Sequence, residues 1–290
     1  MSPNKNYYSA SEKDGKIKAM RIILCILLAA VIVAGGIYTF MYVKNIEKEH
    51  ALSGKTAQTQ AYNVNLLICV RDEDNDDIDP QFLLIGFDGE SKTITVSEIP
   101  TGFKLIGTEK TDTALNLFNY GSARYLRDAL VNNFGINVQR FISLKLSEVE
   151  TFVDKLGGVD YEIKAKMQFK NKEGNLVTNL VKGKQKLNGN QFCQYIRYDN
   201  WKNNAEKREK RVDLLVALLN EHCAELDGDT ILSIYKSISN NLETDVSIVE
   251  VNDFGLQFNT SFKRENPAIR ADIDFSDSQT ANEQIQKYYK

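Results

Sequence analysis

Residues 118–163 read FNYGSARYLRDALVNNFGINVQRFISLKLSEVETFVDKLGGVDYEI, and the change of period within this stretch decides the fold class. In SARYLRDALVNNFG, Leu126, Ala129, Leu130 and Phe134 recur at helical spacing on one face, and Gly135 is placed to stop the helix. VQRFISLK (138–145) reads as a strand. LSEVETFVDKLGG returns to helical spacing through Leu146, Val149, Phe152, Val153 and Leu156, then stops at Gly157-Gly158. GVDYEIKAKM (158–167) alternates like a strand. Helix and strand taking turns in this way is the pattern of an α/β domain.

The pattern extends outward in both directions. Upstream, NVNLLICV (63–70), PQFLLIGF (80–87) and KTITVSEI (92–99) are apolar runs, and the Asp88-Gly89 turn dipeptide predicts an antiparallel hairpin between the last two. Downstream, a polar loop around Asn171 to Asn175 precedes LVTNLV, and Asn188 is a cap for a helix running to about Tyr195. A longer helix, about Ala205 to Leu226, carries Val212, Leu215, Leu218 and Leu219 on one side. A last amphipathic helix spans about Asp245 to Phe258. The expected fold is one α/β domain over residues 62–262, a mixed central sheet flanked by helices. The polar stretch 263–290 reads as a loose C-terminal tail.

The composition of the 290-residue chain, 42% hydrophobic and 26% charged, supplies a proper core. A net charge of -3 speaks against nucleic acid held by a global basic field. Two histidines, His50 and His222, leave little room for a His-rich zinc site or a Ser-His-Asp triad. Residues 22–43, IILCILLAAVIVAGGIYTFMYV, carry no charge and are long enough as a helix to cross the roughly 30 Å hydrocarbon core of a bilayer. Lys5, Lys13, Lys16, Lys18 and Arg21 precede the span against Glu12 and Asp14, which places residues 1–21 in the cytoplasm. Residues 44–61 then form a polar stalk, and the domain lies outside a cell membrane crossed once. With Cys25 in the span, Cys69, Cys193 and Cys223 are an odd set without CxxC spacing, so they read as buried thiols rather than a disulfide framework.

Two polar features bear on chemistry. RDEDNDDIDP (71–80) sits between two apolar strands, and its carboxylates suit a hard cation such as Mg²⁺; a solvated acidic turn is the other reading. An EF-hand is excluded, since counting from Asp72 puts Asp77 at the glycine position and Leu83 at the closing glutamate position. The basic feature joins Arg197 to WKNNAEKREKR, in which Arg208 and Arg211 share a helix face able to grip one anion. Glu206 and Glu209 interrupt the run, so an exposed face with local ion pairs stays open as the alternative. KGKQKLNGNQ (182–191) lacks the spacing of a phosphate loop, and neither GxSxG nor HExxH occurs.

The order of segments resembles the LytR-CpsA-Psr family of Gram-positive bacteria. The likeness rests on NLLICVRD (65–72), SEIP (97–100), residues 118–163 with their Gly-Gly-Val, and KGKQKLNGNQFCQYIR (182–197). It implies a transferase that moves a glycopolymer from a polyprenyl pyrophosphate carrier to peptidoglycan. By the resemblance, Asp72 and Asp79 hold Mg²⁺, and Arg197, Arg208 and Arg211 grip the pyrophosphate, with Arg197 and Asp79 catalytic. The chain also departs from the pattern. The family's Ile-Pro-Arg-Asp is IPTG here, so Thr101 and Gly102 replace a charged pair, with Lys104 nearby to lend a cation. Asp199 replaces the second arginine of Tyr-x-Arg-x-Arg, and Val212 stands where glutamine is usual. Three readings follow: a working transferase, a degenerate relative that binds a polyprenyl-phosphate lipid or an envelope partner without turnover, or a structural or regulatory domain. Phe118, Tyr120, Phe134, Phe141 and Phe152 read as core packing; the resemblance implies a prenyl tunnel, which is not assigned to them.

Overall fold

The structure is a computed structural model and describes residues 63–289 apart from Asp76 and Asp77. The segments expected as N-terminus, membrane span and stalk lie outside the described residues. Among the described residues no helix is long and apolar enough to cross a membrane.

The core is a six-stranded sheet. Three antiparallel neighbours form its centre: β1 (Asn63–Arg71), β2 (Gln81–Asp88) and β3 (Thr93–Ile99). The expected hairpin joins β2 to β3, with Asp88 accepting the backbone N–H groups of Glu90 and Ser91 in the turn. On one side β6 (Arg140–Lys145) runs parallel to β1 and is followed by the two-residue β11 (Glu243–Thr244); on the other, β12 (Ala268–Arg270) runs parallel to β3. The spatial order is therefore β11-β6-β1-β2-β3-β12. Parallel pairing of β1, β6, β3 and β12 brings the carboxyl ends of those four strands to one edge, where α/β sheets place their ligands.

Helices cover both faces, so the central strands read as unbroken apolar runs. Leu66, Ile68 and Val70 of β1 enter one hydrophobic cluster, and Leu67 and Cys69 the other. The first cluster is built with α2 (Leu146–Leu156), α3 (Gly189–Arg197), α4 (Asn204–His222), α5 (Gly228–Ile238) and α6 (Ile248–Ser261). The second is built with α1 (Ala114–Phe134) and α7 (Ser278–Tyr288). Small two-stranded antiparallel sheets, β4 (Lys104–Ile106) with β5 (Thr111–Thr113), β7 (Val159–Ile163) with β10 (Gly183–Leu187), and β8 (Met167–Lys170) with β9 (Leu176–Leu180), complete the domain. Cys69, Cys193 and Cys223 are buried free thiols, and burial pushes each of them up.

Two glycines show why the quoted stretch and the LNGNQ turn are spelled as they are. Gly158 sits at φ 86°, and a Cβ there would lie 2.4 Å from the Leu187 carbonyl oxygen; a Cβ on Gly189 would lie 2.0 Å from that of Glu150. Backbone therefore packs on backbone where α3 meets α2.

Three expectations need correction. Helix α1 begins at Ala114, capped by Thr113, and is kinked at Gly121 and Ser122 rather than starting there. The long helix expected to Leu226 ends at His222, and a separate helix, α5, follows. The largest change concerns residues beyond 262: they form β12 and α7, not a loose tail. Ala281, Ile285 and Tyr289, at four-residue intervals, close the second core cluster, and the Tyr289 hydroxyl donates to the Leu84 carbonyl at 2.9 Å and engages Ser97 Oγ at 2.7 Å. Three apolar side chains among polar neighbours suffice to bury a helix that the overall polarity hides.

Candidate functional site

The carboxyl ends of β1, β3 and β12 gather most of the residues singled out from the sequence. At the end of β1, Arg197, in the last turn of α3, grips Asp72 with both arms of its guanidinium: Nε to Oδ2 at 2.6 Å and Nη2 to Oδ1 at 2.7 Å. The Asp72 side chain is 2% exposed and that of Arg197 14%. The pairing with Asp72 pushes the Arg197 pKa up further. Asp74 adds a looser contact at 3.5 Å. Glu73 points elsewhere, accepting the Leu146 backbone N–H at 3.1 Å and the Ser147 hydroxyl at the start of α2. Asp79 is exposed and accepts from the Thr101 hydroxyl at 3.1 Å. The acidic run is thus a set of clamps: one carboxylate holds α3, another holds α2, and a third holds the turn after β3.

Arg211 is equally committed. It is buried, with Nε and Nη2 donating to the Ile196 carbonyl at 3.0 and 2.8 Å and Nη1 to Glu98 Oε1 at 3.2 Å. Lys207 pairs with Asp199, the residue standing where the resemblance implies an arginine. Arg208, three residues before Arg211, has no hydrogen-bond partner among the described residues; its half-buried setting lowers its pKa by desolvation, and Glu98 and Glu209 act against that.

Arg208 and Lys104 line one cleft of about 900 Å³. Its walls are the end of β3 with Glu98, Pro100 and Gly102, the first turns of α4, and the segment from Arg270 through Phe275 toward α7. Asp72, Asp79, Arg197 and Arg211 are not part of its lining. The structure therefore separates the candidates: Lys104 and Arg208 share an open cleft, while Arg197 and Arg211 are tied into the protein. The cleft also takes in residues that the sequence did not indicate. Glu98 had one signal, a charge within the strand TITVSEI all but one of whose residues are buried. The wall of residues 270–276 had none beyond its polarity.

The two aspartates implied for Mg²⁺ are engaged by protein groups as folded. Both Asp72 oxygens face a guanidinium, Asp79 is bonded to Thr101, and among the described residues no group of three His, Cys, Asp or Glu side chains is placed to hold a metal.

The aromatic residues that read as core divide between the two faces. Phe118, Phe134 and Phe141 belong to the second cluster, Phe152 to the first, and Tyr120 is 56% exposed. A void of about 40 Å³ lies in the first cluster between Ile68, Leu83, Phe152, Phe192 and Leu219.

No curated protein matches this chain in sequence. Among solved structures, it shares its fold with a candidate transcription regulator of Eubacterium siraeum, at TM-score 0.66 and 13% identity over 81% of this chain and 95% of that one. It is similarly related to Bacillus subtilis TagV, at TM-score 0.60 and 14% identity over 78% and 97%. A structure of TagT bound to LIIa-WTA superposes at TM-score 0.58 and 16% identity over 78% and 91%. The profile of the LytR_cpsA_psr family matches residues 37–289, which is most of the sequence, and the chain belongs to that family.

Proposed function

We propose that this protein is a transferase of cell-envelope glycopolymers, anchored in the membrane by residues 22–43, that passes a glycopolymer from a polyprenyl pyrophosphate carrier to peptidoglycan. One observation carries the reading: an open cleft at the carboxyl edge of the sheet is lined by two cations, Arg208 and Lys104, that no acidic side chain neutralises by an ion pair among the described residues. Family membership and the wall-polymer ligand of TagT support it.

The chemistry follows from the charges. A hydroxyl of the acceptor attacks the phosphorus that bears the glycopolymer, and the bond to the departing polyprenyl phosphate breaks. Negative charge grows on the phosphoryl oxygens, and Arg208 and Lys104 are the groups available in the cleft to balance it. Arg197 and Arg211 hold α3 and α4 against the ends of β1 and β3, keeping Arg208 in register.

The test uses the full-length protein in detergent with a polyprenyl diphosphate-linked disaccharide and a peptidoglycan oligomer, following release of the polyprenyl monophosphate. Release by the wild type, with Arg208→Gln reduced about 10- to 100-fold, is the expected result, since a charged hydrogen bond contributes about 1.5–3 kcal/mol. No release, while a family member with all its arginines is active in the same assay, would favour the second reading. In that reading the protein binds a lipid-linked intermediate without turnover, a role to which the internal neutralisation of Arg197 and Arg211 lends weight.

A further inference from the structure

Glu98 is the penultimate residue of β3, is 7% exposed, and lines the cleft that holds Arg208 and Lys104. Its two oxygens differ. Oε1 accepts from Arg211 at 3.2 Å, whereas Oε2 is buried with no hydrogen-bond partner among the described residues. Arg211 is itself held, with Nε and Nη2 both donating to the Ile196 carbonyl. The carboxyl group is thereby held in place with one acceptor unmet. Buried acceptors are rarely left so, and an O–H donor brought by a ligand would complete this one.

The other carboxylates in the cleft wall are poorer candidates for any role with a proton. Asp272 is engaged by Arg270 Nε at 2.9 Å, and Asp274 accepts the Ser276 backbone N–H at 2.9 Å; the Ser276 side chain first, and this N–H second, hold the Asp274 pKa below its ordinary value. Glu209 is exposed to water.

Granting the transferase reading above, we propose that Glu98 is the general base that takes the proton of the attacking acceptor hydroxyl. The hydroxyl donates to Oε2 as its oxygen forms the new bond to phosphorus. The bond from phosphorus to the polyprenyl phosphate oxygen breaks, and that group leaves with the electron pair. The proton stays on Oε2 until water removes it. Arg208 and Lys104, in the same cleft, supply the phosphoryl grip beside it. Burial raises the carboxyl of Glu98 from its ordinary range, and Arg211, Arg208 and Lys207 pull it back down. A carboxylate so raised accepts a proton more readily than an exposed one.

The experiment measures kcat, donor KM and melting temperature of the full-length wild type, Glu98→Gln and Glu98→Asp in the same release assay from about pH 5 to pH 9. Loss of a general base lowers kcat about 10²- to 10⁴-fold. Glu98→Gln should show that loss with little change in KM and without the acidic limb of the wild-type pH profile, while Glu98→Asp keeps the limb. A Glu98→Gln enzyme that retains the limb overturns the proposal. So does a variant whose kcat falls equally at every pH together with its melting temperature, since that marks a structural role. A wild type without turnover overturns the transferase reading itself, and this assignment with it, and is told apart by the absence of any rate to compare.

Discussion

Asp72, expected to hold Mg²⁺, and Arg197, expected to grip the pyrophosphate, are bound to each other in the fold. The Asp72 side chain is almost wholly buried, so removing its charge leaves the guanidinium with only the looser contact to the exposed Asp74 to balance it. Breaking such a pair costs about 3–5 kcal/mol. Asp72→Asn should therefore lower stability in urea titration by about 3 kcal/mol, and combining it with Arg197→Gln should cost less than the sum of the two. Arg208 predicts the reverse. Because no side chain of the described domain bonds to it, Arg208→Gln should shift the unfolding free energy by less than about 0.5 kcal/mol while weakening binding of a pyrophosphate analogue. One variant destabilises and the other disarms, and equilibrium unfolding run beside calorimetric titration separates them. The sequence shows the residue types in both cases. It does not show that Asp72 faces Arg197, since that contact spans 125 positions and depends on how α3 returns to the end of β1.

Among the elements, α1 carries a local feature with a measurable pH signature. Asp112, just before the capping residue Thr113, accepts from the Asn116 side chain at 2.7 Å, the Thr113 N–H at 2.8 Å and Lys110 at 3.0 Å. These bonds, the Asn116 contact foremost, hold its carboxyl down at about 2 against an ordinary 3.8. A depressed acid stabilises the fold above its unfolded value and loses that contribution as pH falls toward the folded one. The difference in stability between wild type and Asp112→Asn should accordingly shrink between about pH 4 and pH 2, by urea titration at each pH. Glu98 has the opposite sign: its raised carboxyl contributes stability that fades as pH rises, so the wild type should lose stability relative to Glu98→Gln across the range above its ordinary value of 4.5. The element least legible beforehand was α7. Period and stop signals sufficed for α2 and α3, whose apolar faces and glycines are dense in the sequence. Helix α7 has only Ala281, Ile285 and the adjoining Tyr289 to mark its inner face.

At the scale of the whole molecule, the α/β class and the mixed sheet follow from alternating periods, because strands buried on both faces must be apolar throughout. The order of strands does not follow, since β12 reaches β3 from the far end of the domain. The candidate site was legible in composition and misleading in grouping: Lys104 and Arg208 meet in one cleft, but Arg197 and Arg211 are spent on α3, α4 and their strands. The core itself makes a further prediction. A void of about 40 Å³ has room for a few water molecules and none for an isoprenoid chain, so any prenyl tail that enters between the sheet and α2 to α4 must first part them. Hydrogen exchange in α2 and α3 should quicken when a short polyprenyl phosphate is added; unchanged protection would mean the tail stays outside the domain.

The bond from Tyr289 to Leu84 joins groups 205 residues apart, and β12 is the last strand to reach the sheet. During vectorial synthesis, β1, β2 and β3 emerge long before the segment that seals them. A ribosome must add the whole of α1 to α6 before Tyr289 can enter its place over Gly86, whose missing side chain leaves room for the ring. A chain halted before residue 268 therefore lacks both β12 and the Tyr289 ring, and leaves Gly86 and the outer edge of β3 uncovered. The sheet and its second core cluster are thus completed by the segments made last, which raises the contact order of the domain.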